Sequence, residues 1–247
     1  MSSQFLQFAA AAPWVVLLFA AVVFPLLFFV PAPYGRHGRP GFGPTMPAKT
    51  AWVLMESFSL VLFAALWWSN PAFGTPVVTA LGLAWLVHYS QRTFVFSLLM
   101  RDENRKKPVL TVGMAIVFNV LNAVGNAVAL RERPVDLWAV LGLSIFGFGM
   151  LVNLHADHVL RTLRKPGETG YLVPKGGLYG WVSSPNYLGE ILEWVGFAIA
   201  AQTLAGWAFA AFTVANLAPR ALSNHRWYRA KFPDYPASRR ALIPYLW

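Results

Sequence analysis

Seven long apolar stretches constrain the fold of this chain more than any other feature of its sequence. They cover residues 14–33, 51–69, 76–99, 109–130, 137–159, 185–203 and 205–222. Most approach or exceed the roughly 20 residues with which a helix spans a bilayer. The composition agrees, because 57% of the residues are hydrophobic and only 12% are charged. The sequence therefore predicts an all-α fold, an integral membrane bundle of seven transmembrane helices.

The basic residues predict the orientation of this bundle. Most of the 20 Lys and Arg follow the first, third, fifth and seventh stretches, and the alternate connections contain only Arg131 and Arg133. Basic residues near helix ends are retained on the cytoplasmic side, so we expect the N-terminus outside and the C-terminus in the cytoplasm. The net charge of +10 then serves topology and attraction to anionic membrane lipid, not nucleic-acid binding.

Four carboxylates stand inside these apolar stretches: Glu56, Asp157, Glu190 and Glu193. An ionised group at bilayer depth costs about 3 kcal/mol or more, so such residues are rarely kept without a partner or a task. They predict a buried polar site. We find no internal repeat and no low-complexity linker, so one domain over residues 1–247 is expected, with a cofactor-binding part at about 150–247.

Polar residues in the fifth and sixth stretches recur at helical spacing. Asn153 and Asp157 are four apart, so they share one helical face that leads toward Arg164. Asn186 and Glu190 share a face of the next helix in the same way. We expect the two faces to meet across the bundle.

The end of the seventh stretch carries a second polar group, with Arg220, Asn224, His225, Arg226 and Tyr228. By the expected topology this group lies on the same side as the cations after the fifth stretch. Arginine side chains grip phosphate through paired N–H donors, which suits a pyrophosphate. The sequence thus indicates an anionic cofactor site, while the alternative is that these arginines only anchor helix ends among lipid headgroups.

A third group lies in the second and third stretches, where Glu56 follows Trp52 by one turn and His88, Tyr89 and Arg92 occur close together. A protonated carboxyl group and a tyrosine hydroxyl are both hydrogen-bond donors, and both could donate to one carbonyl oxygen. The alternative is that Glu56 pairs with Arg92 or His88 and only satisfies helix packing.

A metal site is the rival chemistry for the buried carboxylates. The residues that could form it are His155, Asp157, His158, Glu190 and Glu193. His155 and Asp157 are only two apart and point to different helical faces, and no further His lies in the fifth or sixth stretch. The sequence therefore favours a site without metal.

Motifs along the C-terminal part carry a family resemblance. They are Asn153-x3-Asp157, residues 163–168 (Leu-Arg-Lys-Pro-Gly-Glu), Tyr171, residues 174–178, residues 186–194 and residues 235–244, with Trp52-x3-Glu56 and residues 88–94 upstream. Over roughly residues 50–247 the chain resembles the steroid 5α-reductases and looks like a bacterial member of that family.

The resemblance implies a seven-helix membrane enzyme that uses NADPH to reduce the C4–C5 double bond of a 3-oxo-Δ4-steroid to the 5α product. It also implies a multi-pass protein, which for a bacterial member means the inner membrane. The family has no Rossmann domain. The sequence agrees, because it has no Gly-x-Gly-x-x-Gly between a strand and a helix, so helix faces and loops would hold the dinucleotide.

Site residues follow from the resemblance position by position. Glu56 and Tyr89 become the catalytic pair that hydrogen-bonds the steroid 3-ketone, and Trp52 flanks the steroid rings. The NADPH residues are Asn153, Asp157, Arg164, Tyr171, Asn186, Glu190, Arg220, Asn224 and Tyr228. Two positions depart from the animal members: Met55 replaces a glutamine beside the catalytic glutamate, and Asn224 replaces a histidine.

Other functions stay open from the sequence alone. A related membrane methyltransferase would bind S-adenosylmethionine with a similar C-terminal region, and another reductase of the superfamily would act on a polyprenol, an enoyl lipid or a different sterol bond. A sterol-binding or transport protein is the non-enzymatic alternative, although transporters often show inverted repeats and broken helices, which this sequence lacks.

Overall fold

In the computed structural model, which describes residues 1–30, 41–100, 106–164 and 170–247, the chain is almost entirely helical. The described residues form α1 (Ser3–Phe29), α2 (Ala48–Trp68), α3 (Pro76–Ser90), α4 (Val109–Ala129), α5 (Leu137–Thr162), α6 (Pro185–Ala201) and α7 (Leu204–Lys231). The expected all-α fold with a helix in each apolar stretch is confirmed. Some of the basic residues that follow the first and third stretches lie outside the described residues, namely Arg36, Arg39, Arg101 and Arg105. Residues 165–168 of the family motif also lie outside them.

Three helices differ in their bounds from the apolar stretches that predicted them. α3 ends at Ser90 and not at residue 99, because a π-helical turn, Gln91–Phe96, follows it. α1 begins at Ser3, where the Ser2 hydroxyl accepts a hydrogen bond from the Phe5 N–H, and not at residue 14. α7 continues to Lys231 instead of ending at residue 222. Hydrophobicity marks where a helix meets lipid, and a helix continues into water wherever capping and packing support it.

Four helices of the described residues are long and apolar enough to cross a membrane: α1, α2, α4 and α5. α3 and α6, with 15 and 17 residues, are shorter. α7 has 28 residues but carries charged side chains from Arg220 onward. The chain is therefore a multi-pass membrane protein by its candidate spans, and the seven-span topology and the orientation of the termini stay predictions.

Glycines bring the backbones of α5 and α6 into close contact. A Cβ atom built on Gly196 would lie 2.5 Å from the Gly142 carbonyl oxygen and 2.5 Å from the Phe146 nitrogen. One built on Gly189 would lie 2.5 Å from the Asn153 nitrogen. Small residues allow such approach of two backbones in membrane helices. The contact brings the polar faces of the two helices within hydrogen-bonding reach.

We expect Gly196→Ala to destabilise the protein by about 1–3 kcal/mol, because the new methyl group would force the α5 and α6 backbones apart. Thermal unfolding in detergent measures the change. Gly147→Ala is the matched control on α5, since a Cβ atom there meets nothing within 4 Å and the exchange should stabilise the helix slightly. Equal melting temperatures of the two variants would contradict the close contact.

An aromatic core lies between α2, α3, α6 and α7. Trp85 is fully buried and stacks on Phe63 with ring centroids 4.3 Å apart. Its indole also meets Trp194 at 5.3 Å and Tyr89 at 5.0 Å. The packing of these rings fixes the position within the bundle of the α3 turn that carries Tyr89.

A short antiparallel pair of strands, β1 (Thr45–Pro47) and β2 (Lys106–Pro108), joins the segments that precede α2 and α4. The Val109 N–H extends the pair by donating to the Pro44 carbonyl at 2.9 Å. Because α2 and α4 each begin immediately after a strand, the pair holds the start of both helices together. It also brings Lys107 to the side of α2 that carries Trp52.

Candidate functional site

A buried polar network connects α5, α6 and the end of α3. Asn186 Nδ2 donates to Asp157 Oδ1 at 3.2 Å, and Asn153 Nδ2 donates to the Asn186 carbonyl oxygen at 2.9 Å. The Arg92 guanidinium lies 3.4 Å from Asp157 Oδ2 and 3.9 Å from Glu190 Oε2. The expected meeting of the two polar faces is confirmed, with Arg92 as the cation between their carboxylates.

A π-helical turn sets the position of Arg92. Residues Gln91–Phe96 form this turn directly after α3, and the Ser97 hydroxyl donates to the Arg92 carbonyl at 3.3 Å. The guanidinium then lies over two rings, 4.5 Å from the centroid of Phe96 and 4.9 Å from that of Trp52. π-Turns inside helices occur frequently at functional sites, and here the turn places a cation between an aromatic wall and an acidic one.

Glu56 and Tyr89, the residues predicted to hold a ketone, lie close enough to interact electrostatically. The Tyr89 side chain is buried, whereas Glu56 is half-buried. Among the described residues Glu56 forms no ion pair, since His88 pairs with Glu193 and Arg92 with the α5 and α6 carboxylates. The alternative, in which Glu56 only balances His88 or Arg92 in helix packing, stays a hypothesis, because both of these side chains also interact electrostatically with Glu56.

His88 and Glu193 form a buried pair that sequence reasoning missed. His88 Nδ1 lies 2.6 Å from Glu193 Oε2, and the two residues are 5% and 0% exposed. The His88 ring also meets Trp194 edge-on at 4.6 Å. The sequence shows Glu193 as a carboxylate in an apolar stretch. It does not indicate that the partner of Glu193 lies on α3, 105 residues earlier in the chain.

Trp52 contacts two cations and an aromatic ring. Lys107 Nζ lies 3.8 Å from its ring centroid, and the Arg92 guanidinium lies 4.9 Å from it. Phe96 meets it edge-on at 5.0 Å. The Lys107 ammonium also lies 3.8 Å from the Met55 sulfur, at the position where animal relatives were expected to carry a glutamine. Cation–π contacts of this kind fix the plane of an indole ring.

The predicted α7 residues face the start of α6. One Arg220 Nη donates to the Tyr187 hydroxyl at 3.1 Å, and the guanidinium lies 5.1 Å from the centre of that ring. Asn224 Nδ2 donates to the Ser184 hydroxyl at 3.4 Å. Tyr228 is buried one turn later. These contacts place Arg220 and Asn224 next to the α6 turn that carries Asn186.

Arg164 and Tyr171 lie at the margin of this region. An Arg164 Nη donates to the Gly170 carbonyl at 3.0 Å, and the Tyr171 ring meets Trp227 edge-on at 4.8 Å. Lys231 lies over both rings, 5.7 Å from Tyr171 and 5.2 Å from Trp227. The ring contact connects Tyr171 with the end of α7.

Arg239 is a second residue that sequence reasoning passed over, although it stands in the motif at 235–244. It is 5% exposed, and in the described part of the chain its Nε and one Nη have no hydrogen-bond partner. Its guanidinium lies 5.1 Å from the ring centre of Tyr235, which stacks on Tyr228 at 5.4 Å. The Tyr235 hydroxyl in turn lies 2.7 Å from the Ser183 hydroxyl. The C-terminal segment thus brings a buried cation beside the predicted cofactor residues of α7.

The residues of the metal alternative do not share one place. His155 lines a cavity of about 350 Å³ together with Gly177 and Trp181, and His158 lies 3.3 Å from an Arg161 nitrogen. Asp157 faces Asn186 instead. In the part of the chain that the structure describes, no three His, Cys, Asp or Glu side chains are grouped so that they could hold a metal ion.

Comparisons with known proteins agree with this arrangement. A profile of the family described as 3-oxo-5-alpha-steroid 4-dehydrogenase matches residues 105–247. The chain is 41% identical to 3-oxo-5-alpha-steroid 4-dehydrogenase 1 of Macaca fascicularis, over 86% of this chain and 84% of the relative. It is 40% identical to the Bos taurus protein of the same name, over 91% of both chains.

A plant relative is similar over the same extent. The chain is 43% identical to steroid 5-alpha-reductase DET2 of Gossypium hirsutum, over 90% of each chain. Identity of this level along nearly the whole length, from mammalian and plant relatives alike, includes both the α2 and α3 segment and the C-terminal motifs. The chain belongs to the 3-oxo-5-alpha-steroid 4-dehydrogenase family.

Proposed function

We propose that this protein reduces the C4–C5 double bond of 3-oxo-Δ4-steroids and releases the 5α-3-oxosteroid, with NADPH as reductant. The observation that supports this most is that Glu56 and Tyr89, two potential donors, are near enough to interact electrostatically in a protein whose relatives are named for this reaction. Tyr89 belongs to the aromatic core, where its ring lies 5.0 Å from that of Trp85.

In the proposed mechanism Glu56 and Tyr89 hydrogen-bond the 3-ketone of the steroid. Negative charge develops on this oxygen as C5 accepts a hydride, and donors placed beforehand stabilise that charge more in the transition state than in the ground state. The enone thereby becomes a stronger electrophile at C5, and the enol formed by hydride addition then takes a proton at C4, which completes the reduction. The burial of the Tyr89 side chain excludes water from its hydroxyl, which strengthens its hydrogen bond to the ketone.

The donors around α6 and α7 fit an anionic dinucleotide. Bound NADPH would supply the hydride. Arg220 and Arg164 suit its phosphates, and the buried Arg239 supports this assignment because two of its guanidinium nitrogens lack a hydrogen-bond partner. Asn153, Asn186, Asn224, Tyr171 and Tyr228 would add amide and hydroxyl contacts. Asp157 and Glu190, both near Arg92, would accept hydrogen bonds from sugar hydroxyl or amide groups.

The setting we propose is a lipid bilayer that all seven helices cross, with the N-terminus outside and the C-terminus in the cytoplasm. A bacterial member of the family would lie in the inner membrane. The steroid then reaches Trp52 and the ketone pair from the hydrocarbon phase, and NADPH reaches the arginines from the cytoplasm. Most charged residues of α7 follow Arg220, which supports this division of apolar and cationic ends.

A panel of substrates tests the proposal. Purified protein in detergent or liposomes is given a 3-oxo-Δ4-steroid, an enoyl lipid or a polyprenol with NADPH, and separately S-adenosylmethionine with a methyl acceptor. We expect NADPH-dependent loss of the steroid enone alone. Turnover of a different lipid would change the substrate class, and methyl transfer would remove the reductase assignment.

Replacement of residues in the cofactor region should raise the NADPH concentration required without a comparable loss of maximal rate. For Arg220→Ala we expect a rise of about 10- to 100-fold, because a hydrogen bond to a charged group contributes about 1.5–3 kcal/mol. Asn186→Ala should act in the same direction through the network with Asp157. Arg229→Ala is the control, since Arg229 is exposed on the same helix. An unchanged NADPH titration in both site variants would contradict a nucleotide site there.

A further inference from the structure

Two buried side chains next to Tyr89 each carry a polar atom that has no hydrogen-bond partner among the described residues. These atoms are the Ser59 hydroxyl and Asn122 Nδ2, and the two residues are 0% and 1% exposed. Both side chains lie beside the Tyr89 side chain and interact with it. We propose that Ser59 and Asn122 are positioning residues that orient the Tyr89 hydroxyl toward the substrate ketone, an inference that rests on the proposed function.

The orientation of the Asn122 amide is set by a neighbour on the same helix face. Asn126 Nδ2 lies 3.0 Å from Asn122 Oδ1, 3.0 Å from the Asn122 carbonyl and 3.4 Å from the Ala205 carbonyl. Three surrounding oxygens identify this atom of Asn126 as the donor. Asn122 Oδ1 is therefore occupied as an acceptor, and its Nδ2 is left as a donor on the side of Tyr89.

The place of Ser59 is fixed by the aromatic core. Trp85 Nε1 donates to the Ser59 carbonyl at 3.2 Å, which ties α2 to α3 one turn before Tyr89. Ser59 is also three residues after Glu56, so the two side chains share one face of α2. Its hydroxyl is thus held next to both members of the ketone pair by contacts that do not involve the hydroxyl itself.

This arrangement has a chemical consequence for Tyr89. A phenol oxygen that accepts hydrogen bonds from an amide and a hydroxyl group must direct its own proton elsewhere, and the direction left is the ketone. The two donors also stabilise partial negative charge on the phenol oxygen, so its O–H becomes a stronger donor as charge moves to the ketone oxygen. Catalytic hydrogen bonds that are long in a free enzyme often shorten when substrate binds.

A role in packing alone explains these residues less well. A polar side chain without a partner costs free energy in an apolar interior, where a leucine or alanine would fill the space without that cost. Ser59 and Asn122 come from different helices, α2 and α4, and both orphan groups belong to side chains beside Tyr89. What the two side chains share is their position beside the Tyr89 hydroxyl.

A double-mutant cycle tests the proposal with steroid turnover as readout. Ser59→Ala and Asn122→Ala should each lower kcat about 3- to 10-fold, the effect of one lost neutral hydrogen bond, with the KM for NADPH unchanged. In a Tyr89→Phe background neither should lower kcat further, because the hydroxyl on which they act is gone. Ser59→Thr, which keeps the hydroxyl, should restore the rate.

Equal losses of kcat in the presence and in the absence of the Tyr89 hydroxyl would overturn the proposal, because a packing defect does not depend on it. Ser59→Ala removes only the hydroxyl oxygen and should not disturb folding. If Asn122→Ala fails to fold, the double-mutant cycle with Ser59→Ala still tests the proposal. If wild-type protein turns over no 3-oxo-Δ4-steroid, the proposed function falls and this inference with it.

A spectroscopic measurement, which needs no turnover, distinguishes a failure of the positioning role from a failure of the proposed function. The carbonyl stretching frequency of a bound 3-oxo-Δ4-steroid, recorded without NADPH, reports the strength of hydrogen bonding to the ketone. It should rise in Ser59→Ala and in Asn122→Ala, and rise no further when either is combined with Tyr89→Phe. An unchanged frequency in both single variants, with a normal wild-type signal, would refute the positioning role while leaving the proposed function intact.

Discussion

Replacing Glu56 by leucine should lower kcat for a 3-oxo-Δ4-steroid by about 10²- to 10³-fold, the usual effect of removing one donor to a developing oxyanion. Glu56→Gln, which keeps a weaker amide donor, should lose less. Steady-state kinetics at saturating NADPH measure both. Ser57→Ala is the matched control, because the Ser57 hydroxyl donates to the Leu54 carbonyl of its own helix at 2.9 Å and has no place in the site.

The same reasoning applies to the second donor. Tyr89→Phe should lower kcat by a comparable factor, and the variant that lacks both donors should lose less than the product of the two factors, since donors to one oxygen act as a unit. NADPH binding, measured by fluorescence, should stay close to wild type in each variant. Wild-type rates in Glu56→Leu and in Tyr89→Phe would remove the proposed roles of these residues.

Removing one member of the His88 and Glu193 pair should destabilise the fold by about 3–5 kcal/mol, because the other member is left buried without its partner. Either His88→Leu or Glu193→Leu serves, and denaturant unfolding in mixed micelles measures the change. Neither residue is among those predicted to contact the steroid or NADPH. We therefore expect a larger effect on stability than on the apparent affinity for NADPH.

The double replacement distinguishes the pair from ordinary core packing. When both residues are leucine, no polar group is stranded, so the double variant should recover much of the stability that each single variant loses. Additive losses would mean that His88 and Glu193 stabilise the bundle independently, and the 2.6 Å contact would then have no energetic role of its own.

The helices that follow from apolar length alone were predicted closely. α2, α4 and α5 begin and end within a few residues of their apolar stretches, because lipid-facing residues dominate these helices. The contact between α5 and α6 was also predictable, since Asn153, Asp157, Asn186 and Glu190 repeat at helical spacing. A polar face in an apolar helix has to meet another polar face, and here the bundle offers one.

Features that depend on tertiary packing could not be read from the sequence in the same way. The π-turn that carries Arg92 has no local signature, and Glu193 has its partner, His88, on a different helix. Ser59 and Asn122 are single polar residues in apolar stretches, and no feature of the sequence distinguishes them from polar residues without a functional role. Arg239 was visible as part of a motif, but its burial was not.

The account rests on one reaction, and the stereochemistry of the product tests it most directly. Purified protein is incubated with NADPH and progesterone or testosterone, and the product is identified against authentic 5α and 5β standards. We expect the 5α-3-oxosteroid from the wild type and almost none from Glu56→Leu at equal protein concentration. A 5β product, or a steroid enone left intact by folded protein, would contradict the assignment of the ketone pair and of the function.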